Sequence, residues 1–197
     1  MFVKICGLTD ATAVDAAVAA GADAIGFVFA ESAREVSPQR ARELCRDVSA
    51  ATIRVAVMHH PSRDRYTEVI ETFAPDWIQT DAEDFDSLPA AGPARPLPVF
   101  REAGTDGLTE FPPRLLFEGR VSGSGKTADW QEARRIAGHT ELILAGGLDA
   151  DNIADAIAAV RPFGVDVSSG VEYERGRKDP GKIREFVARV RELELEK

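Results

Sequence analysis

The chain has 197 residues, 44% of them hydrophobic, and a formal net charge of −9 from 33 acidic against 24 basic residues. This size and apolar content allow one sizeable core. The negative balance argues against sequence-independent nucleic-acid binding, which runs on phosphate neutralisation. No apolar run approaches the roughly eighteen residues of a membrane span, and the start lacks the charged-then-apolar layout of a secretory signal. The expectation is a cytoplasmic protein with neither nucleic acid nor membrane as a partner. No Pro/Gly/Ser-rich linker divides the chain, so 1–197 reads as one domain.

Apolar, β-rich runs recur at about 2–6, 24–29, 52–58, 76–79, 97–101, 114–118, 141–144 and 164–167, separated by amphipathic stretches. In the first run, alternation puts Phe2, Lys4 and Cys6 on one face. Cys6 sits where the strand gives way to Gly7, so two readings stand for it: a thiol facing a mouth, or a small buried hydrophobe. Ser37-Pro38 reads as a helix cap followed by Pro at the first helical position, and Asp10 and Asp149 are further cap candidates. Cys45 shares a helix face with Ala41, Leu44 and Val48 and belongs to the core, so no disulfide with Cys6 is expected.

Helical spacing also marks Tyr66, Val69, Ile70 and Phe73; Ile153, Ala156, Ile157 and Val160; and Ile183, Phe186, Val187 and Val190. Between 81 and 113, six prolines leave room only for short helices or none. His59-His60-Pro61 follows the third strand. Adjacent histidines point apart on an extended segment, and with only His139 besides, no metal site is expected.

Eight strands alternating with helices point to a (β/α)₈ barrel, because parallel strands need helical crossovers and eight can close a sheet. A doubly wound sheet would want a glycine-rich dinucleotide loop early, and Cys6-Gly7-Leu8-Thr9 is not one. Three glycine-bearing loops follow the last three strands: Ser122-Gly123-Ser124-Gly125-Lys126-Thr127, Ala145-Gly146-Gly147-Leu148 and Ser168-Ser169-Gly170. In a barrel they would be neighbours at the C-terminal face, with backbone N–H groups of Gly146, Gly147, Ser169 and Gly170 available to a phosphate. The first loop lacks the earlier glycine of a nucleoside-triphosphate P-loop.

Taken together, these residues resemble the phosphoribosylanthranilate isomerase family. The resemblance rests on Lys4-Ile5-Cys6-Gly7-Leu8-Thr9, on Gly21-Ala22-Asp23-Ala24-Ile25-Gly26-Phe27-Val28-Phe29, and on Arg34 before Val36-Ser37-Pro38. It continues with the glycine loops, Asp129-Trp130, and Gly164-Val165-Asp166-Val167-Ser168-Ser169-Gly170-Val171-Glu172. It implies a (β/α)₈ fold and an Amadori rearrangement of a phosphosugar in tryptophan biosynthesis, with no metal or cofactor, by a monomer or homodimer. It also implies that Cys6 is the general base and Arg34 the arginine that holds the substrate carboxylate. Asp166 would orient substrate hydroxyls or neutralise Lys4, and Gly125 and Lys126 would bind substrate. As a base Cys6 must be partly ionised, for which Lys4 and a helix opening at Gly7-Leu8-Thr9 are the available influences.

Two departures stand out. The family's general acid is an Asp ending the sixth strand; here the residue is Glu118, one methylene longer, expected to keep its proton through partial burial. After the fourth strand the family's Gln-Leu-His-Gly is replaced by Gln79-Thr80-Asp81-Ala82, which makes Asp81 a reserve acid. The alternatives are a related phosphosugar isomerase, whose carboxylates would replace Cys6, and a barrel that keeps its phosphate loops as a non-catalytic binding protein.

Overall fold

The computed structural model describes residues 1–90, 92–105, 107–119 and 128–195. Gly125, Lys126 and the rest of the loop 120–127 lie outside the described residues. Eight parallel strands close in sequence order: β1 (Phe2–Cys6), β2 (Ala24–Val28), β3 (Ile53–Val57), β4 (Trp77–Asp81), β5 (Arg95–Arg101), β6 (Arg114–Glu118), β7 (Glu141–Leu144) and β8 (Gly164–Val167), with β8 pairing back onto β1. Outside them run α1 (Ala11–Ala19), α2 (Pro38–Leu44), α3 (Arg63–Phe73), α4 (Trp130–Ala137), α5 (Ile153–Val160) and α6 (Pro180–Leu195). Besides β5, the described residues of the proline-rich stretch carry, as helical segments, the 3₁₀ turns Ala82–Asp86 and Glu102–Gly104. A two-stranded ribbon, β9 (Glu172–Glu174) and β10 (Arg177–Lys178), follows β8.

Local chemistry sets these boundaries. Asp10 caps α1 by accepting the Ala13 N–H at 3.0 Å, and Ser37 caps α2 through the Arg40 N–H with Pro38 in the first turn. Asp149 does not cap α5 directly. It closes the turn before it, accepting the Asp151 and Asn152 N–H groups at 3.0 Å, and Asn152 takes the cap position. Cys45 is the C-cap of α2, buried as expected, with Val48 beyond the helix; both cysteines are free.

Strand β5 accommodates Pro96 and Pro98 by register. The Arg95 N–H donates to Asp76 O on the β4 side. Alternate amides of a parallel strand face opposite neighbours, so positions 96 and 98 face β6, where pairing starts only at Val99–Leu116.

Two apolar layers result. Outward-facing strand residues such as Val3, Ile5, Phe27, Ile78, Phe117 and Val165 pack against the helices. Inside the barrel sit Ala24, Val55, Trp77, Leu97, Leu116 and Ile143. Phe2 stacks between Trp77 and Phe163 at ring distances of 5.3 and 5.8 Å, and the Arg114 guanidinium covers both Trp77 and Phe163. This plug fills the end where the strands begin, so only the strands' C-terminal ends can form a mouth.

Candidate active site

A cavity of about 390 Å³ opens at that mouth. Cys6, Asp166, Glu118, Arg34 and the glycine loops contribute to its lining. On β1, the alternation holds: Lys4 and Cys6 both turn inward, Lys4 fully buried and Cys6 7% exposed. Lys4 Nζ lies 2.8 Å from Asp166 Oδ1, its register partner on β8. Of the two roles left open for Asp166, the ligand-free protein displays the neutralisation of Lys4. Space for both β1 side chains comes from Gly26 opposite them on β2, where a Cβ would stand 3.3 Å from Cys6 Sγ and from Lys4 Nζ.

The electrostatics of Cys6 differ from the expectation. Burial pushes its thiol above the ordinary range, the Lys4 ammonium pulls it back only in part, and Asp166 adds to the rise. The expected helix influence is missing as well. Gly7 takes a left-handed φ of 77°, and α1 begins only at Ala11, four residues beyond the point expected. Burial and Asp166 thus favour the thiol at Cys6, and Lys4 the thiolate.

Arg34 has a protein partner that its place in the sequence does not show. Its planar fork, expected on a substrate carboxylate, is engaged by Glu172: Nε to Oε1 at 2.6 Å and Nη2 to Oε2 at 3.0 Å. Of the five guanidinium N–H donors, these bonds leave the others for a ligand. Lys178 Nζ joins the same carboxylate at 2.8 Å and also donates to Ser168 O and Oγ. Burial works to raise the Glu172 carboxyl, but hydrogen bonds from Arg34 and Lys178 outweigh it and hold it at about 2. Gly7 is required beside this network, since a Cβ there would meet Arg34 Cδ at 2.6 Å.

On the opposite side of the mouth, Glu118 ends β6 and is ion-paired to Arg101 Nη1, while Arg101 Nη2 lies 2.7 Å from Asp81 Oδ1. Glu118, expected as the proton donor, is in contact with the Arg101 guanidinium. Asp81, expected in a loop, is the last residue of β4 and 5% exposed. The histidines do not point apart: His60 takes a φ of 44°, and the rings of His59 and His60 approach to 4.2 Å between centroids.

Gly146, with φ of 90°, and Gly147, with φ of 63°, turn the chain after β7 and line the cavity with Ser169. Gly170 does something different. A Cβ there would fall 2.0 Å from Leu148 O, so its missing side chain is what lets the β7 and β8 loops close on each other.

Sequence reasoning found the residues that alternation and the glycine loops mark. It missed Arg101, Glu172 and Lys178. Arg101 was within reach, because it ends a barrel strand on the side where such sites form. The other two carried no spacing signal: Glu172 lies 138 residues from Arg34 in the chain.

Comparison with known proteins gives a consistent result. The family model described as N-(5'-phosphoribosyl)anthranilate (PRA) isomerase matches residues 3–189. The N-(5'-phosphoribosyl)anthranilate isomerase of Streptococcus pneumoniae is 40% identical, over 96% of this chain and 95% of its own. The crystal structure of the phosphoribosyl anthranilate isomerase from Thermotoga maritima superposes with a TM-score of 0.85 at 30% identity, covering 98% of this chain and all of the other. A second solved isomerase, in complex with reduced 1-(o-carboxyphenylamino)-1-deoxyribulose 5-phosphate, gives 0.83 at 30% identity over 98% of this chain and 100% of that one.

Proposed function

This chain belongs to the N-(5'-phosphoribosyl)anthranilate isomerase family, and from that premise we propose that it converts N-(5'-phosphoribosyl)anthranilate to 1-(2-carboxyphenylamino)-1-deoxyribulose 5-phosphate in tryptophan biosynthesis. The observation that supports this most is the placement of a thiol and a carboxyl group, Cys6 and Glu118, on the lining of one barrel mouth beside the Gly146-Gly147 and Ser168-Ser169 loops.

The reaction needs a proton delivered and a proton removed. Glu118, once protonated, donates to the furanose ring oxygen, and the C1′–O bond breaks to leave a Schiff base. Cys6, as thiolate, takes the C2′ proton; the resulting enol becomes the ketone. Lys4 serves Cys6 as the nearest cation, and Asp166 keeps Lys4 charged. Backbone N–H groups of the Gly146, Gly147 and Ser169 loops receive the phosphate. The free donors of Arg34 hold the anthranilate carboxylate while Glu172 fixes the guanidinium plane. Gly125 and Lys126 keep the substrate-binding role that the resemblance implies.

Burial favours the thiol at Cys6 and Arg101 is paired with Glu118, so the proton transfers work against both surroundings. Cys6 depends on the Lys4 ammonium to form the thiolate, since the substrate's anionic groups favour the neutral thiol. A fluorescence assay following disappearance of phosphoribosylanthranilate tests the reading. Turnover that Cys6→Ser abolishes supports it; a purified, folded chain with no turnover overturns it.

A further inference from the structure

The cluster at the β3–β4 side of the mouth borders this chemistry, with Asp81 on Arg101 and His59 on the cavity lining, and the two imidazoles have no part in it. His59 Nε2 and His60 Nε2 lie 3.6 and 3.5 Å from Asp81 Oδ2, and the three ligand atoms all fall within 4.8 Å of one another. Both separations from Asp81 are too long for hydrogen bonds, and Asp81 Oδ2 is buried with no hydrogen-bond donor among the described residues. A buried acceptor without a donor is costly and calls for a partner. We propose that His59, His60 and Asp81 form a binding site for a divalent transition-metal ion of the zinc class, with a fourth position open to water.

The spacing fits such an ion. Ligand atoms roughly 2.0–2.1 Å from a tetrahedral zinc are about 3.3–3.4 Å apart; the two distances to Asp81, 3.5 and 3.6 Å, are close to this, and the three atoms, all within 4.8 Å of one another, close on the ion by rotation of the rings. Both imidazoles are about half exposed, and the His59 ring has room to make this rotation. The donor set of two imidazoles and a carboxylate suits zinc, cobalt or nickel better than calcium or magnesium, which prefer oxygen alone.

The surroundings are those of a supported site. A metal-bound histidine usually donates its other ring N–H to a carboxylate, and His60 Nδ1 lies 2.8 Å from Asp84 Oδ1. That bond places the proton on Nδ1 and leaves the Nε2 lone pair for the ion. Asp84 is fixed in turn by the Thr80 hydroxyl at 2.5 Å and by the His60 N–H at 3.2 Å. The other oxygen of Asp81 is held by Arg101, so the carboxylate is oriented before any ion arrives. His60 keeps its left-handed φ ahead of Pro61 through the same Asp84 contacts, and this conformation brings both rings to one carboxylate.

The test uses the full-length chain without an affinity tag, stripped with a chelator and desalted. Cobalt(II) is titrated by visible absorbance, and zinc(II) is measured by competition with a chromophoric chelator. One ion should bind per chain. His59→Ala, His60→Ala and Asp81→Asn should each weaken binding at least tenfold, and Asp84→Asn should weaken it about 10- to 100-fold through the lost support of His60. His139→Ala and the double variant Cys6→Ser/Cys45→Ser should bind as the wild type does. Circular dichroism confirms that each variant is folded. No binding at millimolar cobalt overturns the proposal, as does an affinity unchanged in both histidine variants or in folded Asp81→Asn.

Discussion

Lys4 and Asp166 are register partners on β1 and β8, and their side chains meet inside the barrel with Nζ 2.8 Å from Oδ1. Lys4 is fully buried, so this carboxylate is the counter-charge that lets an ammonium remain in an interior otherwise lined by apolar residues. Breaking one side of a buried pair costs about 3–5 kcal/mol, whereas removing both charges together can be near neutral. Asp166→Asn should therefore lower the urea-unfolding free energy by about 3 kcal/mol, and Lys4→Met added to it should recover most of that loss. If Asp166→Asn costs less than about 1 kcal/mol, the pair does not hold the ammonium in the way described.

The ionisation of Cys6 gives a pH signature. Burial raises the thiol above its ordinary range and Lys4 offsets this only in part, so the thiolate grows as pH rises toward and beyond about 8.5. The rate of Cys6 alkylation by iodoacetamide, read in a Cys45→Ser background, should therefore climb about tenfold per pH unit between pH 6 and 8. Cys6→Ser should lose at least about a hundredfold in turnover while still binding a reduced product analogue. Turnover in Cys6→Ser close to that of the wild type would take the base role away from Cys6.

Glu172 links the site to acid stability. Its folded-state value of about 2 lies below the ordinary 4.5, so its contribution is fully present above pH 4.5 and is lost as pH falls toward 2. By linkage this amounts to about 3 kcal/mol. Glu172→Gln should remove that part of the acid transition. It should also raise KM more than it lowers kcat, because Arg34 loses the partner that orients its guanidinium. An acid-unfolding curve identical to wild type would show that Arg34 and Lys178 do not stabilise the carboxylate.

Gly170 tests the phosphate loops. Any side chain there must displace the Leu148 carbonyl, which is backbone and cannot swing aside. Gly170→Ala should separate the β7 and β8 loops and weaken competitive inhibition by inorganic phosphate at least about tenfold, since geometric errors near 1 Å are costly at such sites. Unchanged phosphate inhibition in Gly170→Ala would place the anion elsewhere.

The strands were legible because buried parallel strands read as continuous apolar runs, and the inward position of Lys4 and Cys6 followed from simple alternation. The ends were less so. Asp81 was read as a loop residue because β4 runs two residues past its apolar part, to reach Val99 on β5. Ion pairs across the mouth were illegible for a different reason. Arg34 with Glu172, and Arg101 with Asp81, are joined only by barrel closure and strand register, which no local spacing encodes. The histidines were misread because alternation presumes an extended backbone, and His60 leaves that region altogether.

Glu118 carries the sharpest prediction. It ends β6 at register with Arg101 on β5, and the two side chains are ion-paired across the strands. For Glu118 to deliver a proton to the ring oxygen, Arg101 must transfer its attention to another anion, and Asp81 already holds its second nitrogen 2.7 Å away. Glu118→Gln keeps size and polarity but has no proton to give, so kcat should fall by about two orders of magnitude or more with KM little changed. Glu118→Asp restores the shorter acid of the resembling family; if the strand end is set for the longer side chain, its carboxyl falls short and turnover drops about tenfold or more. Should Glu118→Gln keep most of its turnover, the proton comes from Asp81, and Asp81→Asn is then the variant that loses activity.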